Sequence, residues 1–71
     1  MKVRTSGVNY MVLNETDATA NNFEWWSEAI EYIDYILDKT ETWSMVLFEM
    51  VDGKIINGMR YTADGRSEVV L

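Results

Sequence analysis

The 71-residue sequence contains no cysteine, no histidine and no proline. The absence of cysteine excludes disulfide frameworks and thiolate metal sites, and is compatible with a reducing compartment. Without histidine or cysteine, catalysis near neutral pH loses its commonest base and its most reactive nucleophile, leaving serines, threonines, lysines and carboxylates. Gly-rich phosphate loops and the Gly-x-Ser-x-Gly elbow are missing as well. Glycosidase-type chemistry on paired carboxylates needs a cleft that so small a domain can hardly enclose. The expectation is a protein that is not an enzyme and uses no cofactor and no metal. The chain also lacks a long apolar run, and MKVRTSGVNYMVLN is too interrupted for a signal peptide, so a cytoplasmic protein with no membrane contact is expected.

Basic residues are scarce. Lysine and arginine number 6 against 12 acids, for a net charge of −6. The excess is concentrated. Residues 15–41 hold Glu15, Asp17, Glu24, Glu28, Glu31, Asp34, Asp38 and Glu41 against Lys39 alone, whereas the other segments nearly balance. A surface of that sign repels nucleic acid and anionic lipid and attracts basic protein patches.

What the sequence does have is one amphipathic stretch, Asn22 to Lys39. At 100° per residue, Phe23, Trp25, Trp26, Ala29, Ile30, Tyr32, Ile33, Ile36 and Leu37 share one half. Glu24, Glu28, Glu31, Asp34 and Asp38 share the other with Ser27, Tyr35 and Lys39. Asn21 is the expected N-cap, with Glu24 at the third helical position. Residues 15–21, polar and short-chained, are expected to be the connection into this helix. Asp17-x-Thr19-x-Asn21, with Glu28 at the twelfth position, follows part of a calcium-loop spacing. Asn22 stands where such a loop needs glycine, however, so a capping loop is the better reading.

On either side the chain reads as strand. Lys2 to Asn14 is extended, either as one kinked strand or as a hairpin turning at Ser6-Gly7 with Val3 facing Tyr10. Thr42–Val51 and Lys54–Thr62 flank Asp52-Gly53, which suits a two-residue turn with both central residues at positive φ. Asp64-Gly65 repeats the signal ahead of Ser67–Leu71. The fold expected is a single α+β domain over residues 1–71, with one amphipathic helix on one face of a four- or five-stranded antiparallel sheet, in the order β(β)-α-β-β-β.

Turns centred on each Asp-Gly pair sort the meander into two faces. Val46, Phe48, Met50, Ile55, Met59, Tyr61 and Val70 would face the helix. Trp43, Met45, Leu47, Ile56, Val69 and Leu71, with Arg60 among the polar residues, would remain uncovered as a patch for homodimerisation.

Two functions follow, both non-enzymatic. In the first, Glu24, Glu28, Glu31, Asp34 and Asp38, with Tyr35 set among them, dock on a basic groove of a nucleic-acid-handling protein. The chain would be a small inhibitor imitating nucleic acid, of the size and charge found among phage and mobile-element proteins, and would bind no nucleic acid itself. One acid recurs per ~4 Å of helix axis, close to the ~3.4 Å charge spacing of a DNA strand. A plain solvated face accounts for the same acids. In the second, a structural or regulatory homodimer forms through Trp43, Met45, Leu47, Ile56, Arg60 and Val69.

Overall fold

The strand Val8–Asn14 (β1) sits second from one edge of the sheet in the computed structural model, which describes residues 7–70. It turns back at residues 15–18 into Thr19–Phe23 (β2), pairing Tyr10 with Phe23 and Asn14 with Thr19. The turn is built by side chains. The buried Asn14 Oδ1 accepts the N–H groups of Thr16 at 2.9 Å and Asp17 at 3.2 Å, and Asp17 Oδ1 accepts the N–H of Thr19 at 3.1 Å. Ala18 takes the positive φ of 61° that lets the chain reverse.

This hairpin corrects the expected connecting loop. TANNF is poor in strand-forming residues, and it is a strand because the Asn14 turn and the Tyr10–Phe23 pair hold it in register. Any pairing through Val3 and Ser6 lies outside the described residues.

The helix Trp26–Lys39 (α1) therefore starts later than its periodicity predicts. Asn21 is no N-cap, since it lies in β2 and donates from Nδ2 to the Tyr32 hydroxyl at 3.1 Å. Trp25 occupies the cap position in extended conformation and gives no side-chain cap. Glu28 in the first turn and Lys39 in the last both complement the helix dipole. The missing terminal glycine is replaced by Thr40, whose backbone N–H and hydroxyl both donate to the Ile36 carbonyl.

Met45–Val51 (β3), Lys54–Thr62 (β4) and Gly65–Glu68 (β5) complete a five-stranded antiparallel sheet of order β2-β1-β3-β4-β5. The expected α+β architecture is present, with β3 at the centre. Asp52 and Gly53 take φ of 51° and 82°, the two positive values the Asp-Gly turn requires. The second turn is displaced. Thr62 pairs with Gly65, so Ala63 and Asp64 form the tip, and β5 slides by two residues without changing faces.

The larger correction concerns the faces of β3. Val51 pairs with Lys54 and Met50 with Ile55, but Glu49 then pairs with Asn57, leaving Ile56 as an extra residue. A bulge of this kind shifts every later pair by one, so Leu47 lies opposite Met59 and Met45 opposite Tyr61. Met45 and Leu47 consequently face the helix, forming the core with Val12, Ala29 and Ile33. Val46, Phe48 and Met50 turn to the other side, beside Met11 and Leu13 of β1. Met59 and Tyr61 stay on the helix side as expected.

The helix lies over β1 and β2 and leaves the helix-side surface of β4 and β5 uncovered. Among the described residues, no helix is long and apolar enough to cross a membrane.

Candidate partner-binding surfaces

Ala29 and Ile33, both wholly buried, fix how α1 is rolled on the sheet. At 100° per residue, Glu28, Glu31, Asp34 and Asp38 then fall within an arc of roughly 120° centred opposite these two. All four are exposed. Glu24 is exposed too, but it lies in the bend before the helix, so the helical row spans Glu28 to Asp38, about 15 Å of axis. Among the described residues, none of these five carboxylates has an ion-pair partner. Tyr35 stands within the row, 59% exposed, with Lys39 Nζ 4.8 Å from its ring centroid. That contact takes up the helix's lone lysine at the edge of the row.

The residues expected to form one dimer patch come together only in part: Leu47, Ile56 and Val69 line one cleft, whereas Met45 is wholly buried and Arg60 lies on the opposite face. Met45 and Leu47 lie on the helix side of the sheet, Leu47 only 5% exposed, so neither joins an outward dimer patch. Trp43 is half-buried ahead of β3, and Val69 donates its N–H to the Gly58 carbonyl at 3.0 Å. Ile56, at the bulge, is 48% exposed on the uncovered part of the sheet. Arg60 is on the surface facing away from the helix, opposite Val46. The faces differ from the expected ones because the β3–β4 register is broken at the bulge. Apolar residues that do lie away from the helix include Met11, Leu13, Val46, Phe48, Met50 and Ile55.

At one end of that outer face, Glu15 fastens three elements. Its carboxylate accepts Arg60 Nε at 2.8 Å and Nη2 at 3.0 Å, and the Ser44 hydroxyl at 2.7 Å. These hydrogen bonds, the Arg60 one foremost, hold the Glu15 carboxyl well below the usual carboxylate range, at about 2. The Glu15 N–H also donates to the Ser44 carbonyl, and the Ser44 N–H to Thr16 Oγ1. A charge read from the sequence as part of an acidic segment is thus spent within the fold.

A cleft beside the helix start has no counterpart in the sequence expectations. Where the helix stops short of β4 and β5, a cleft of about 490 Å³ opens between Trp26 and the sheet, over Tyr10, Leu47, Ile56, Met59 and Tyr61. Trp26 was expected inside the apolar arc, yet it is 51% exposed at the first turn of α1. The late helix start and the bulge create this cleft together, and neither has a local sequence signal.

No family model, curated protein or solved structure matches the chain. The functional reading therefore rests on these surfaces.

Proposed function

We propose that the chain is a non-enzymatic protein-binding module whose acidic helix face docks on a basic surface of a partner, in its concrete form the nucleic-acid-binding groove of a nucleic-acid-handling protein. The observation that carries this reading is the row Glu28, Glu31, Asp34 and Asp38, exposed, opposite the buried side of the helix and, among the described residues, without an ion-pair partner. Like charges at i and i+4, as in Asp34 and Asp38, cost an isolated helix about 0.2–0.5 kcal/mol per pair. A face serving only solvation would more often intersperse lysines. A basic partner turns that repulsion into attraction and speeds encounter through charge steering. Tyr35 supplies an aromatic contact inside the row.

The test is capture of a partner from the native host at low and high salt, followed by competition. Binding should weaken steeply as salt rises, and duplex or single-stranded nucleic acid should displace the partner. A partner held equally well at both salt concentrations and indifferent to nucleic acid would refute the reading.

The outer sheet face favours a second reading, a homodimer. Met11, Leu13, Phe48 and Met50 form a half-buried apolar surface with no described element laid over it. Sedimentation at micromolar concentration tests this directly, since a monomer there would remove it.

A further inference from the structure

We propose that the cleft beside Trp26 receives a large apolar side chain carried on a basic segment of the partner protein. This deepens the acidic-face reading and rests on it. Among the described residues, Trp26 walls the cleft on the helix side, and the opposite side is the exposed edge strand β5. Such a groove suits a side chain projecting from another protein better than an enclosed small ligand.

Part of its floor is apolar, with Leu47 buried and Met59 and Tyr61 half-buried beside the polar Asn57, while Ile56 and Trp26 stand 48% and 51% exposed at the rim. An exposed Trp and Ile beside the apolar side chains of the floor are the features of an interface anchor site, where one inserted group displaces water from several surfaces at once.

Charge selects the carrier of that group. The lining holds Glu49 and Glu68 against Arg66. Trp26 itself lies between Glu24 and Glu28 in the sequence, so the cleft wall adjoins the start of the acidic row. A segment presenting cations beside a Phe- or Leu-sized side chain would meet carboxylates and the apolar side chains of the floor together.

Two synthetic lysine-rich peptides, alike except for a central Phe in one and Ala in the other, test this on the full chain. Trp fluorescence and the methyl signal of Met59 are the readouts. The Phe peptide should bind at least ~10-fold more tightly than the Ala peptide, a difference of about 1.4 kcal/mol, and should shift Met59. Ile56→Glu should remove that advantage while leaving the salt-sensitive binding of the Ala peptide, and Ile56→Ala should reduce it.

Equal affinities for the two peptides would overturn the cleft inference, as would a Phe advantage that survives Ile56→Glu. Shifts at Met11 and Met50 in place of Met59 would overturn it in favour of the outer face. Concentration-dependent Met59 shifts without peptide would overturn it in favour of a second copy. Failure of the acidic-face reading has a different signature, in which binding of the Ala peptide is indifferent to salt and to charge reversal on the helix.

Discussion

Glu15 holds Arg60 through two parallel hydrogen bonds, at 2.8 and 3.0 Å, and so ties the β1–β2 turn to the fourth strand of the sheet. The pair also lies beside Val46, which is buried although it faces away from the helix. Bidentate geometry and the added Ser44 hydroxyl distinguish it from an ordinary surface ion pair.

The first prediction concerns acid. Because the Glu15 carboxyl is depressed in the folded state to about 2 from an ordinary 4.5, its stabilisation is fully present above pH 4.5 and is lost as pH falls toward 2. Thermal melts should fall across that window, and Glu15→Gln should melt a few degrees lower at pH 7 with a flatter acid limb. Parallel acid limbs in the two proteins would show that the pair contributes nothing.

The core gives the second. Ile33 is wholly buried among Val12, Ala29, Met45 and Leu47. Ile33→Ala should cost about 2–5 kcal/mol, against a total stability on the order of 4–10 kcal/mol for a chain this short. Urea unfolding monitored by far-UV circular dichroism should find the variant's midpoint sharply lowered. A loss under ~1 kcal/mol would mean that the helix does not pack as described.

Why the helix and its core were legible, while the sheet faces were not, is visible at Ile33 and Ile56. The periodicity that buries Ile33 is local and spans four turns of helix, so it can be read from the sequence. Asp52-Gly53 is legible for a similar reason, since two consecutive positive φ values single out residues of that type. The bulge at Ile56 is decided elsewhere. It brings Leu47 and Met45 under the helix, a gain that is realised only when β3 also pairs with β1. Likewise β2 owes its place to Asn14 and Tyr10 more than to its own residues, and the cleft is a consequence of both events.

The third prediction follows from Gly58, which pairs with Phe48 beside Val69. A Cβ there would stand 3.1 Å from Val69 Cβ and 3.2 Å from the Phe48 ring. Gly58→Ala should therefore destabilise by about 1–3 kcal/mol through overpacking, and Phe48→Leu in the same background should recover part of the loss. Additive effects in the double-mutant cycle would contradict the contact.

The β3–β4 turn supplies the fourth. Gly53, at φ 82°, has open space around it, so only backbone strain opposes a side chain. Gly53→Ala should cost about 1–2 kcal/mol, and Gly53→Asn less, because asparagine tolerates the left-handed region. Equal unfolding midpoints for the two variants would exclude this account of the turn.

The central claim is that the exposed carboxylates of the helix are the binding surface. Its most direct test is the simultaneous change Glu28→Lys, Glu31→Lys and Asp34→Lys, with partner affinity and far-UV circular dichroism measured on the same preparations. The account predicts an unchanged helical spectrum and complete loss of a partner that wild type holds in a salt-sensitive, nucleic-acid-competed manner. Retention of that partner at wild-type affinity by the folded triple variant would contradict it.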